Sequence, residues 1–257
     1  MLAGTRLEKE ISAPRTQTAR STGVLYLLSA LPAAFSIVYV PAAFVVAGDA
    51  AATARRISDA QQVYRIGIVS GLVSQIFWIL LVVSLYSLLK DVNKKLAVFM
   101  LVSAMVIVPI GFVDLVVLVA PLIVLSGADY LSAFTKPQLD ALALGLMTLR
   151  TNGLVVAFAF WGLWLFPFGM LVMRSGFIPK ILGILLIVGG TAYVAASFVS
   201  IVLPAQRQVV SVIALPFYAV GELAMIGWLL VKGVKVPLPD ARTSFERPAH
   251  QSATPTG

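Results

Sequence analysis

Two carboxylic acids, Asp114 and Glu222, stand inside otherwise apolar sequence, and no other part of the chain is so charged with chemical consequence. Asp114 follows Ile107-Val-Pro-Ile-Gly-Phe-Val, and Glu222 follows Phe217-Tyr-Ala-Val-Gly. An ionised group in hydrocarbon costs at least a few kcal/mol, so such residues are paired, hydrogen-bonded or used as proton and cation relays. Either use demands polar partners on other helices at the same depth.

Helix rise of about 1.5 Å per residue converts sequence distance into depth. Glu222 lies ten residues before Lys232, about 15 Å from that edge and near mid-bilayer. Asp114 lies nineteen residues after Lys95, about 29 Å up and near the outer side. The two are therefore not level, and a carboxylate pair sharing one proton is not expected. For Asp114 the basic partners at hand are Arg150 and Arg65, with Asn152 half a turn below Arg150 as a further hydrogen-bond donor. Such an ion pair would offset burial and serve as a brace between helix ends or as an outer gate. Glu222 has no basic residue at its own depth. Its candidate neighbours are Tyr218 one turn earlier, Gln75 on helix two, Tyr193 on helix five and Asn152. Two uses stand side by side. One is a protonated glutamic acid clamping helix six to its neighbours; the other is a proton- or cation-handling group in a solute path.

Both acids need helices to hold them. Six apolar runs lie between Ser21 and Val231, each long enough to cross a hydrocarbon core about 30 Å thick. Hydrophobic residues make up 60% of the chain and charged ones 12%, against roughly a quarter charged in soluble domains. The fold class is all-α, a polytopic integral membrane protein of six transmembrane helices with one or two short amphipathic helices outside. Thirteen of the nineteen Lys and Arg fall on one side of these runs. By the positive-inside rule that side, with both termini, is cytoplasmic. The net charge of +8 thus reads as topology and attraction to lipid headgroups. No basic polar domain of the kind nucleic-acid binding needs is visible.

Residues 1–20 and 236–257 read as disordered cytoplasmic tails. Pro32 and Pro41 should kink helix one. Asp49 should cap a short helix, and Ser58-Asp-Ala-Gln61 has the form of a capping box opening helix two. Gly67, Ser70, Gly71 and Ser74 share one face of that helix, suited to close packing. Helix three, with Pro109, Asp114 and Pro121, is too long for one straight crossing and must tilt or kink. Thr135-Lys-Pro-Gln138 reads as another capping box with proline in its first turn. It opens an amphipathic helix that lies on the surface or runs straight into helix four, about Thr151 to Met173. Gly176 suits a helix C-cap. Helix five, about Ile181 to Leu203, is rich in glycine and alanine and so central; helix six spans about Val209 to Val231. Asp114 and Glu222 occupy the third helix of each three-helix half, an arrangement compatible with inverted repeats.

Several classes of chemistry lack their residues. The chain has no cysteine and a single histidine, His250, in the polar tail. That removes thiolate chemistry, a membrane Ser–His pair and a histidine metal centre. Intramembrane aspartyl proteolysis needs a second membrane aspartate, and phosphate-cradling glycine loops are absent. No cofactor, metal site or catalytic residue is assigned. The tryptophans and tyrosines read as packing and interfacial anchors.

Taken in order, several segments have a familiar look: Thr22-Gly-Val-Leu-Tyr-Leu-Leu28, Gly48-Asp-Ala-Ala-Ala-Thr53, Tyr64-Arg-Ile-Gly67 and Ser126-Gly-Ala-Asp-Tyr130. Phe160-Trp-Gly-Leu-Trp-Leu-Phe-Pro167, Arg174-Ser-Gly-Phe-Ile-Pro-Lys-Ile-Leu-Gly183, Gly221-Glu-Leu-Ala224 and Leu229-Leu-Val-Lys-Gly233 complete the set. Over about residues 18 to 235 the chain resembles bacterial multi-helix membrane proteins of domain-of-unknown-function family 4386. The resemblance implies a bacterial inner-membrane location and carries over no substrate, reaction or site residue.

The leading reading is a non-enzymatic protein that handles a small solute or ion through a polar site at Glu222, with Asp114–Arg150 as outer gate or brace. The alternative is a membrane scaffold or regulatory subunit that binds a membrane partner or a second copy through its small-residue faces. An intramembrane lipid-modifying enzyme comes third. Membrane lipids are the one partner common to all three.

Overall fold

A computed structural model of the protein describes residues 19–232, and these are almost entirely helical. The helices are α1 (Ala19–Phe44), α2 (Ala50–Asp59), α3 (Gln61–Leu89), α4 (Lys94–Val124), α5 (Lys136–Ser175), α6 (Lys180–Val202) and α7 (Arg207–Val231). All but α2 are long and apolar enough to cross a membrane. The all-α polytopic bundle is therefore the architecture, and the chain is a multi-pass membrane protein. The tail expectations fall outside the described residues, except that Ala19 and Arg20 already belong to α1. The face carrying the start of α1 and the end of α7 is called terminal below; the face carrying α2 is called distal.

Proline sets the bends. Pro41 has no N–H to give, and α1 widens into a π-helical stretch, Phe35–Tyr39, directly ahead of it. A single such widened turn is a usual way to absorb a break in the hydrogen-bond ladder. Pro32 leaves the helix unbroken. In α4 the helix is interrupted at Val106, between Met105 and Ile107. The cause is Pro109, whose ring is directed against the carbonyl four residues back, that of Met105. The kink expected in helix three is thus placed.

Helix ends follow local chemistry in most places. Asp49 Oδ1 accepts from Ala52 N–H at 2.8 Å and caps α2. Thr135 and Gln138 form the reciprocal capping box, with Thr135 N–H donating to Gln138 Oε1 at 2.8 Å. Gly176 ends α5 in the left-handed region at φ 72°. The box at Ser58 does not form. Ser58 lies in the last turn of α2, and α3 starts from Ala60 with no side-chain cap. α2 runs on to Asp59, leaving one residue between the two helices.

The amphipathic segment after Thr135 runs straight into the fourth span. α5 is one helix of 40 residues, about 60 Å long, roughly twice the hydrocarbon thickness. Its distal part packs on α2, and its terminal part packs along the whole of α6. The α5–α6 contact is close because both sides are glycine: a Cβ on Gly162 would fall 2.4 Å from Gly190 O, and one on Gly169 2.6 Å from Gly183 O. Bare backbones at the contact are how membrane helices approach closely.

The spans form a ring in chain order. α3 packs on α4, α4 on α5, α5 on α6 and α6 on α7. α1 closes the ring, its Gly23 lying against Leu229 and Leu230 of α7 while Thr22 Oγ1 sits 2.6 Å from Ser84 Oγ of α3. Outside, large apolar side chains such as Leu31, Val69, Val116, Phe198 and Val212 are exposed. An apolar belt of that size marks a surface for lipid.

Candidate functional site

The distal carboxylate is closed off. Arg150 reaches from α5 and donates to Asp114 Oδ2 through Nε at 3.2 Å and Nη2 at 2.9 Å. Nη2 also donates to Ser36 O of α1 at 3.2 Å. One guanidinium thereby joins α1, α4 and α5. The Arg150 side chain is only 1% exposed and that of Asp114 14%, so the pair is removed from water. Beside it, Tyr64 of α3 donates to Leu118 O at 2.8 Å. Of the two arginines considered for Asp114, Arg150 makes the pair; Arg65 is exposed on α3 and takes no part in it.

The other carboxylate lies beside open space. A cavity of about 260 Å³ sits inside the ring, and each of the six spans contributes to its wall. α1 supplies the longest strip, from Tyr26 and Ser29 through Ala30, Ala33 and Ala34 to Val38. Across it stand Gln75 and Trp78 of α3, Trp161 and Trp164 of α5, Tyr193 of α6 and Glu222 of α7. Toward the terminal face the cavity is stopped by the main core, where Leu81, Leu85, Leu165, Phe168, Leu186 and Met225 are buried. Along α1 the wall runs from Tyr26, 2% exposed, to Val38, 66% exposed. The cavity therefore leads from a sealed end at Glu222 toward the distal half of the bundle.

Glu222 is held by hydroxyls rather than by a cation. Tyr26 Oη donates to Glu222 Oε2 at 2.8 Å, and Tyr193 directs a second hydroxyl at the same carboxyl. Gln75 folds over Gly111 of α4, where there is no Cβ to displace it, and its buried Oε1 has no hydrogen-bond partner. Around them the rings lock in two edge-to-face pairs, Trp78–Trp164 with centroids 4.9 Å apart and Trp161–Tyr193 at 6.1 Å. Trp78 also donates its indole N–H to Ala104 O at 3.1 Å. The two acids are kept apart by α1: Tyr26 and Ser36 are ten residues apart, about 15 Å along the axis.

Of the residues singled out around Glu222, the structure gathers Gln75 and Tyr193. Tyr218 stands one layer behind, stacked on Tyr193 with centroids 3.9 Å apart and its hydroxyl buried without a partner. Asn152 is elsewhere. It is exposed on α5, sixteen residues in from Lys136, where Arg207 at the start of α7 donates to its side chain and to Thr151 O at 2.7 Å. Asn152 does face α7, but at Arg207, fifteen residues from Glu222 and so about 22 Å away along the axis. Sequence reasoning missed Tyr26, the one residue seen bonded to Glu222 Oε2. Its signal was available: Thr22, Tyr26 and Ser29 recur at helical spacing as a polar stripe on an otherwise apolar run. The tryptophans also do more than anchor, since three of the four form cavity wall.

No curated protein and no solved structure matches the chain. The family described as Domain of unknown function (DUF4386) matches over residues 21–233, which takes in every helix of the ring and both carboxylates. The chain belongs to the DUF4386 family.

Proposed function

We propose that this protein handles a small solute or ion, in a transport-like manner, through the central cavity at Glu222. It would sit in a bacterial cytoplasmic membrane with its terminal face, rich in Lys and Arg, inside the cell. The observation that carries the reading is one volume walled by all six spans with a carboxyl at its sealed end. Polar groups in a bundle core at the meeting point of helices are the usual form of a solute site. The Asp114–Arg150 pair belongs to the frame of such a site, since it ties three wall helices together at the distal end. The scaffold reading rested on small-residue faces, and these are spent inside the chain. Gly67 meets Val40, Gly71 meets Leu115, and Gly221 meets Leu185 O.

A binding screen on the full chain in lipid nanodiscs tests the proposal. Solutes of different charge are scored by shift in melting temperature, since a ligand that binds only the folded state raises it. The control is Ala30→Trp, which fills the cavity. At least one solute class should stabilise the unmodified protein and leave the filled variant unmoved. A blank screen with a folded protein, or equal shifts in both, defeats the reading.

A further inference from the structure

The lining of the cavity is selective in a way that names a ligand class. Glu222 is its one charged residue, and no Lys, Arg or His faces it among the described residues. An anion would meet a carboxyl with no counter-charge, so anions are disfavoured. Gln75 Oε1 is a buried acceptor without a partner, and the indole N–H of Trp78 is already committed to Ala104 O. Small metal cations require a shell of about six oxygens, whereas most of this wall is carbon. Five aromatic rings, from Tyr26, Trp78, Trp161, Trp164 and Tyr193, line the same cavity as the carboxyl. Weakly hydrated organic cations are recognised by aromatic rings with a nearby anion, and the volume of about 260 Å³ equals that of some eight waters at ~30 Å³ each.

We propose that the cavity binds a small organic ammonium ion, with Glu222 as its counter-charge, the aromatic wall around its alkyl or aryl groups, and Gln75 Oε1 accepting from an N–H where the ion carries one. This rests on the solute-handling reading above and specifies its substrate class. The sealed end places the cationic head at Tyr26 and Glu222, and the long strip of α1 alanines, Ala30 to Ala34, leaves room for the ion's carbon body. Entry would come from the distal half, past Val38.

The test uses purified full-length protein in nanodiscs, titrated with choline, phenethylammonium, their uncharged isosteres (the carbon analogue of choline and phenethyl alcohol), and phenylpropanoate as an anion. Tryptophan fluorescence reads binding, because three tryptophans line the site. The two ammonium ions should bind, with roughly tenfold or greater preference over their uncharged isosteres. Glu222→Gln should erase that preference, and Ala30→Trp should abolish binding. Where Glu222→Gln does not fold, Tyr193→Phe and Trp161→Leu serve in its place, each weakening the ammonium ions more than the uncharged probes. Isosteres that bind as well as the cations, or a preference for phenylpropanoate, overturn the ammonium assignment while leaving the solute cavity standing. No binding by any of these probes also overturns it; only a blank result in the wider screen brings down the solute-handling reading as well.

Discussion

Asp114 and Glu222 are the same chemical group in the same kind of helix, yet the protein surrounds them oppositely. Asp114 receives two nitrogens of a guanidinium whose side chain is 1% exposed, and neither residue of the pair lines the central cavity. Glu222 receives the neutral hydroxyl of Tyr26 and borders a cavity with an unpaired amide oxygen in its wall. A buried charge that serves structure is matched and sealed; one left partly unmatched beside space is available to something that arrives later. The comparison teaches that partner type and adjoining volume, more than depth or residue identity, separate a brace from a site.

The largest effect should come from breaking the sealed pair on one side only. Arg150→Met leaves Asp114 buried without a cation, at a cost of about 3–5 kcal/mol. It should be visible as a large drop in thermal melting temperature. If the pair is structural, Asp114→Leu combined with Arg150→Met should recover most of that loss; failure to recover would move the pair from brace to functional gate. Gly162→Val should come next, at about 1–3 kcal/mol, because the new Cβ would overlap the backbone oxygen of Gly190. Denaturant unfolding in detergent would measure it, and a neutral result would mean that the α5–α6 approach is looser than described. Tyr26→Phe removes one hydrogen bond, worth about 1 kcal/mol, so it should alter solute binding more than melting. The reverse order would make Glu222 a second brace. Away from both carboxylates, Asp49→Ala should cost about 1 kcal/mol through loss of the α2 cap. Ser58→Ala should stay within about 0.5 kcal/mol, as for an uninvolved surface position.

The spans were legible because a bilayer imposes length and apolarity on each helix separately, and both are local properties. The cap at Asp49 and the box at Thr135 were legible for a like reason, being contained within four residues. Arg150 could be matched to Asp114 because few cations exist at that depth. Arg65, equally placed in sequence, loses because it faces outward on α3, and the facing of a helix depends on packing that one sequence does not state. The same ignorance of helix rotation let Tyr26 escape notice, whereas Asn152 was misplaced in depth, since it meets α7 at Arg207, fifteen residues from Glu222. Ser58 failed for another reason: α2, capped at Asp49, runs through it to Asp59, so Ser58 is itself helical and cannot take the extended backbone of an N-cap. The cavity itself was invisible, since empty space is a property of how six helices miss one another.

Trp161 and Trp164, which wall the cavity, stand on the same unbroken helix as the segment that packs on α2. From Lys136 to Trp164 that helix extends about 42 Å with no proline after its first turn. Such a rod behaves as a lever. Tilting it by about 5° displaces one end relative to the other by roughly 3.7 Å, taking that 42 Å as the arm. Anything that grips the projecting portion, whether a neighbouring protein or a change in bilayer thickness, would therefore move two indoles in the chamber by atomic dimensions without touching the chamber itself.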